Sequence, residues 1–452
     1  MTTHRDRTPQ PQPDPDADPG ADPGAAGAPG TSACAPAPPS LTGSPFESDT
    51  FTSATFVNVG RGPALALTVV WAVTRAGMLL LLLRDSLGVG GVGREVYVLY
   101  QLWYRQFAQG TFPVDDVTWQ YPPGAGLVIM SPGVLPWLTY FQAFVALTLL
   151  ADAAVALALA RADSDRVTHG AWVWVAGLPL LLHIPLARYD VQVTALAVLG
   201  LLAVTSRRAA GHLIGGALAG LGALVKVWPV LTLIGTPRGR TTRDAWIAAA
   251  TTVAALLAIL ALCFSNSLGF LRQQGSRGIQ IESLGGTVLS LARAADLWPG
   301  TVQFRYGAYE YVGPYVSSVG RLALLLTALA FVWLLIWRLR ARTWTEATPL
   351  DAAFAAVLLF TVTSRVISPQ YMIWLLGLAA VCLTSRRTVM RPVALLILPA
   401  AALSSLAYPV LYDEVVAGTW QGVTVMAVRN TLLLAAALLA ARRLWTATAT
   451  KA

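Results

Sequence analysis

Apolar blocks recur along the chain from residue 64 onward, separated by short polar stretches. They run to about 15 to 25 residues, the length a helix needs to cross a hydrocarbon core of roughly 30 Å at 1.5 Å per residue. The two-residue alternation of a membrane barrel is missing. Full-length spans are predicted at 64–83, 136–160, 245–264, 313–337, 392–411 and 422–441. Three further apolar stretches, 172–205, 212–236 and 351–385, are too short for two full spans each and are broken near their middles. Pro179, Pro185 and Arg188-Tyr189-Asp190 interrupt the first, Lys226 and Pro229 the second, and Ser364-Arg365-Val366-Ile367-Ser368-Pro369-Gln370 the third. These read as hairpins of short or tilted helices. The expected fold class is an all-α polytopic membrane protein of about twelve transmembrane helices, with short broken helices. Two long extracytoplasmic loops complete it, near 84–123, with a helix at 94–108, and near 265–312.

Charge orients this pattern. Of the 452 residues 55% are hydrophobic and 12% charged, and the formal net charge is +9. The arginines cluster between apolar blocks: Arg161 with Arg166, Arg207 with Arg208, Arg238 with Arg240 and Arg243, Arg338 with Arg340 and Arg342, Arg386 with Arg387 and Arg391, and Arg442 with Arg443. The positive-inside rule makes these clusters cytoplasmic, with both termini, in a multi-pass plasma-membrane protein. Scattered this way they form no basic face for nucleic acid. Residues 1–60, rich in Pro, Ala, Gly and Asp, read as a disordered cytoplasmic tail without a signal peptide, 61–445 as the transmembrane domain, and 446–452 as a second cytoplasmic tail. Cys34, Cys263 and Cys382 have no metal-ligand or disulfide spacing. No cofactor is expected, although loop carboxylates could hold a divalent cation. The run Gly88-Val89-Gly90-Gly91-Val92-Gly93 matches a dinucleotide fingerprint in letters only, since it follows a membrane span rather than a strand.

Candidate chemistry gathers on the outer side. The first loop carries Glu95, Tyr100, Asp115, Asp116, Trp119, Gln120 and Tyr121. Aromatics there suit an interfacial belt, and each carboxylate could equally be a solvated loop side chain. Arg188, Lys226 and Arg365 sit on separate hairpin tips, against the positive-inside bias, where charge is costly unless paired or used. Converging, they would suit a phosphate. His183 reads as a structural histidine near one tip.

Several stretches, in order, resemble glycosyltransferase family 87, membrane mannosyltransferases of the GT-C superfamily. They are Trp119-Gln120-Tyr121-Pro122-Pro123-Gly124-Ala125, Leu186-Ala187-Arg188-Tyr189-Asp190, Leu224-Val225-Lys226-Val227-Trp228-Pro229, Arg277-Gly278-Ile279-Gln280-Ile281-Glu282-Ser283 and Ser368-Pro369-Gln370-Tyr371. The similarity covers roughly residues 60–440. It implies a GT-C-like bundle and inverting transfer of a hexose, mannose foremost, from a polyprenyl-phosphate sugar to a lipid-linked or cell-envelope glycan on the outer face. Glu95 stands nearest the family's general base, with Asp115 or Asp116 as the alternative; it is Glu where the family has Asp, and Tyr100 lies about one residue too far on. Arg188, Lys226 and Arg365 would bind the donor phosphate. Tyr100, Trp119, Gln120, Tyr121, Asp190, Gln280, Glu282, Gln370 and Tyr371 would contact substrate, Gln370 standing where many relatives have His. A secondary transporter or flippase of envelope lipids and a non-catalytic scaffold are the competing readings; no internal repeat supports the former.

Overall fold

The computed structural model describes residues 61–113, 116–162, 169–206, 208, 210–269 and 278–449. The expected N-terminal tail, Asp115 and Arg277 lie outside them. The described chain is mostly helical, an all-α membrane protein in its main body. Helix α1 (Arg61–Arg84) leads through a glycine turn to a π-helical turn, Glu95–Tyr100, which runs into α2 (Gln101–Ala108). Then follow α3 (Ala125–Met130) and α4 (Tyr140–Ala162). Next come α5 (His169–Gly177), α6 (Asp190–Thr205), α7 (Gly211–Val225), a 3₁₀ stretch (Trp228–Gly235) and α8 (Arg240–Cys263). The second long loop holds β1 (Ile279–Gln280), α9 (Leu284–Ala294), β2 (Thr301–Arg305) and β3 (Ala308–Val312). The chain closes with α10 (Val316–Arg340), α11 (Thr348–Thr363), α12 (Tyr371–Cys382), α13 (Arg391–Ser405), α14 (Tyr412–Ala417) and α15 (Trp420–Thr448).

Among the described residues six helices are long and apolar enough to cross a membrane, and they fall within a few residues of the six predicted full spans. Of the six shorter apolar helices among the described residues, five occupy the three broken stretches and one, Ala125–Val134, precedes the second full span. The two classes differ in burial as well as length. α8 and α10 present leucine, isoleucine and tryptophan outward along most of their length, as lipid-facing helices do, whereas α11 and α12 are buried almost throughout. A helix as short as α12 spans only about 18 Å at 1.5 Å per residue. It is too short to cross a bilayer by itself and is buried throughout, so non-helical backbone at its ends is surrounded by protein rather than lipid.

Three of the arginine-bearing segments touch one another. Arg238 donates from Nη2 to the carbonyls of Arg338 and Leu339, Arg338 donates to Thr242 Oγ1 at 2.9 Å, and the Arg342 N–H donates to the Thr448 carbonyl at 2.8 Å. Residues of the hairpin tips and of both long loops come together around one cavity.

A small antiparallel sheet, ordered β1-β3-β2, is the feature that helical patterning did not anticipate. β2 and β3 are joined by the two-residue turn Tyr306-Gly307, both at positive φ (52° and 77°), the turn whose twist matches that of the strands it connects. Along β1 the two-residue period sends Ile279 and, beyond it, Ile281 into a satellite core with Trp298 and Tyr311. Gln280 and Glu282 consequently share the opposite face.

Candidate active site

The hairpin tips, the first loop and the sheet enclose a cavity of about 770 Å³. Its wall includes Glu95, Gln120, Tyr121, Arg188, Lys226, Gln280, Glu282, Gln370 and Tyr371, so most residues picked out from sequence converge there.

The glycine run 88–93 is a turn that sets Glu95. The Asp85 carboxylate accepts from the Val92 and Gly93 N–H groups at 2.9 Å each, and His183 Nε2 approaches it at 3.3 Å. At Gly88 (φ +63°) a Cβ would lie 2.0 Å from the Pro409 carbonyl oxygen, so only glycine lets the turn rest against that segment. From here the chain enters the π-helical turn. A π turn carries about one residue more than an α turn, so Tyr100, five positions on, still returns to Glu95, its hydroxyl donating to Oε1 at 3.3 Å.

Arg188 sits where the chain leaves a 3₁₀ turn at Pro185 and turns extended. Its Nη1 donates to the carbonyls of Val92 (3.1 Å) and Ala187 (2.7 Å), while Nη2 lies 3.0 Å from Glu95 Oε2. Lys226 follows the last residue of α7, and its Nζ donates to Asp190 Oδ1 at 2.6 Å. The same oxygen accepts from Trp374 Nε1 at 2.6 Å. Tyr121, Tyr189, Tyr371 and Trp374 surround the ammonium with ring centroids 4.8 to 5.8 Å away, a cation–π box. Asp190, 1% exposed, therefore lies beneath the wall as the anchor of Lys226.

The remaining sequence candidates divide. Asp116 is turned into its own loop: it accepts from Trp103 Nε1 (2.7 Å), the Thr118 N–H (2.8 Å) and the Thr118 hydroxyl (2.5 Å), and it is not part of the cavity wall. Trp119 packs edge-on against Trp103, Phe107 and Phe112 behind the wall. Arg365 also falls outside the wall; its carbonyl accepts from the Gln280 N–H at 3.1 Å, tying the third tip to β1.

On the far wall, Gln280 Nε2 donates to Glu282 Oε2 at 3.0 Å. Burial pushes the Glu282 carboxyl up to about 7, the nearby Arg429 guanidinium opposing this. Arg429, fully buried on α15, places Nη2 3.7 Å from Glu282 Oε1. Sequence reasoning missed Arg429, Tyr408 and the hairpin aromatics Phe304, Tyr306 and Tyr309, the last four of them wall residues. A lone arginine inside an apolar helix was the available signal for the first. For the hairpin it was the turn pair Tyr306-Gly307 between aromatic flanks. Among the described residues no cluster of three or more His, Cys, Asp or Glu could hold a metal ion.

A cavity that brings cations and a carboxylate together from separate hairpin tips matches the order of motifs noted in the sequence, and the family model for glycosyltransferase family 87 matches residues 119–369, more than half of the chain. The chain belongs to glycosyltransferase family 87. No curated protein and no solved structure matches it. As a family 87 protein it is a membrane glycosyltransferase. The matched span contains Gln120, Arg188, Lys226 and Glu282; Glu95 and Tyr371 lie outside it and join the same cavity through the fold.

Proposed function

We propose that this family 87 protein transfers a hexose, mannose foremost, from a polyprenyl-phosphate sugar to a lipid-linked or cell-envelope glycan, on the extracytoplasmic side and with inversion. The observation that carries this reading is the pairing of Glu95 with Arg188 at 3.0 Å beside the boxed Lys226, in a cavity whose wall is rich in aromatic side chains. Two fixed cations suit a leaving phosphate, which departs already stable as an anion and needs little protonation. Preorganised charge of this kind lowers the barrier most where bulk water is excluded. Glu95 is the general base in this scheme. It takes the acceptor hydroxyl proton as that oxygen attacks the anomeric carbon from the side opposite the phosphate, and the carbon–phosphate-oxygen bond breaks. Inversion follows from the single displacement. The donor phosphate competes with Glu95 for the Arg188 N–H groups, so loading the donor leaves Glu95 available to the acceptor.

The transporter reading draws least support, because no internal repeat divides the chain into two similar halves. The direct test is incubation of membranes with radiolabelled polyprenyl-phosphate mannose. Glu95→Gln should lower transfer by roughly 100-fold or more. Undiminished transfer in the variant would remove Glu95 from the mechanism, and transfer from a nucleotide sugar in place of the lipid donor would overturn the reading.

A further inference from the structure

A second recess lies at the other end of α12. That helix begins at Tyr371 in the cavity wall, and Leu383, one residue past its end, lines a groove of about 500 Å³ between α5 and α13. The volume is within the roughly 300 to 1,000 Å³ of small-molecule sites. His169 and Arg391, the first residues of α5 and α13, stand at one end of the groove, and Leu180 and Leu398 lie further along, so the two helices run side by side in the same direction. The far end is closed where Ser405 Oγ donates to the Leu180 carbonyl at 2.6 Å. His169 and Leu180 are eleven residues apart, about 16 Å at 1.5 Å per residue. That is close to half of the ~30 Å hydrocarbon core, the depth of one leaflet.

Apolar side chains, Trp172, Val173, Leu180, Leu395 and Leu398, line the length of this groove, and Leu395 is 68% exposed where it opens sideways. Small residues keep it open. Ala176 is exposed, and at Gly177 a Cβ would lie 2.9 Å from Leu376 Cδ2 and 3.4 Å from Leu398 Cδ2. Charge is confined to the entry end, where Arg391 and His169 are both exposed. Arg386 and Arg387, also exposed, lie on the connection between the wall residues Leu383 and Arg391. Two carboxylates reach that connection and are engaged by its hydroxyls: Ser385 Oγ donates to Glu346 Oε1 at 3.3 Å and Thr388 Oγ1 to Asp351 Oδ1 at 2.5 Å. Neither carboxylate lines the groove. An apolar shaft one leaflet deep, with arginines about its opening, complements a single acyl chain that carries an anionic headgroup.

We propose that this groove binds one anionic glycerophospholipid, with an acyl chain between α5 and α13 and the phosphate at Arg391 and His169. The Arg391 guanidinium offers a phosphate two parallel N–H donors. A zwitterionic lipid brings the same chain, but its own cation faces the arginines, so charge selects a phosphatidylglycerol over a phosphatidylcholine. A polyprenyl tail outruns a shaft closed at Leu180, and in the proposed transfer its phosphate has Arg188 and Lys226 at the opposite end of α12. The bound lipid braces α5 against α13, which Ser405 already ties together at the far end. Nothing in this lipid site depends on the glycosyl-transfer chemistry.

The test is native mass spectrometry of the full chain in a neutral detergent, titrated with dioleoyl phosphatidylglycerol, dioleoyl phosphatidylcholine or a short polyprenyl phosphate. Wild type should retain one phosphatidylglycerol at least tenfold more tightly than phosphatidylcholine. Arg391→Gln should weaken phosphatidylglycerol at least fivefold and leave phosphatidylcholine within twofold. Ala176→Phe, which fills the groove from an exposed position, should weaken both at least fivefold. Lys226→Met should leave phosphatidylglycerol within twofold. Both groove substitutions change exposed side chains, so neither result depends on repacking a core. Equal retention of the two phospholipids, or unchanged phosphatidylglycerol retention in both groove variants, overturns the site. Loss of phosphatidylglycerol in Lys226→Met would assign that lipid to the cavity. Displacement of phosphatidylglycerol by the polyprenyl phosphate, persisting in Lys226→Met, would give the groove to a polyprenyl tail, and either result overturns the proposal.

Discussion

The Arg75–Asp152 ion pair and the charges at the cavity serve opposite ends. Arg75 on α1 grips Asp152 on α4 through Nε and Nη2, each 2.8 Å from a carboxylate oxygen. Trp71 and Trp174 add their indole N–H groups at 2.7 Å, and Arg75 Nη1 goes to the Val175 carbonyl at 2.7 Å. Both partners are buried, and the carboxylate is saturated with donors. At the cavity, by contrast, Glu95 is only partly buried, Arg188 serves it with one nitrogen, and Lys226 gives one of its three N–H groups to Asp190. The first pair closes on itself and fastens helices. The second leaves bonding capacity facing a space large enough for a ligand. Charge inside a membrane protein is costly in either setting, and what separates structure from function is whether that charge is fully spent.

Removing one partner of the closed pair should have the largest effect on stability. Arg75→Met strands the Asp152 carboxylate and should cost about 3 to 5 kcal/mol. The double variant Arg75→Met/Asp152→Leu should recover most of that, as thermal unfolding in nanodiscs would report, with transfer per folded molecule close to wild type. If the double variant lost transfer while folding normally, the pair would belong to the machinery and the contrast would fail.

The cavity pair should answer differently. Lys226→Met should lower transfer by roughly 100- to 1,000-fold, the usual cost of losing one preorganised charge contact. Lys226→Met/Asp190→Leu should restore folding stability but not transfer, measured with the radiolabelled donor. Recovery of turnover in that double variant would reduce Lys226 to a structural cation.

The smallest expected effect concerns pH. Because burial raises the folded-state carboxyl of Glu282 to about 7 from an ordinary 4.5, the folded protein holds a proton that the unfolded chain has released between those values. Stability should therefore fall as pH rises through that window and level off above it, by at most about 3 kcal/mol. Glu282→Gln should flatten the decline in melting temperature between pH 5 and pH 8. An unchanged slope would assign the titration to another group.

Much of this was legible in the chain before any coordinates. Hydropathy gave the six long helices, because lipid forces a long helix to satisfy its own backbone and to stay apolar along its length. Pro185, Pro229 and Pro369 marked the tips of the short hairpins by removing N–H donors. Arg188, Lys226 and Arg365 stood out as cations running against an arginine-biased pattern. Those are properties of single segments.

Other features depend on partners far away in sequence. Asp116 and Glu95 look alike as loop carboxylates, yet Trp103 and Thr118 satisfy Asp116 within its own loop while Glu95 reaches Arg188 across the cavity. Asp190 reads as part of a site and is the buried anchor of Lys226. Arg429 meets Glu282 only because α15 packs against α9, just after β1. The sequence by itself determined where the chain crosses, where it breaks and which charges are out of place, since each follows from the local balance of lipid solvation and backbone hydrogen bonding. The tertiary structure alone decided which carboxylate is spent and which is open, because hydrogen-bond saturation is settled by neighbours that the fold, rather than the order of residues, brings within 3 Å.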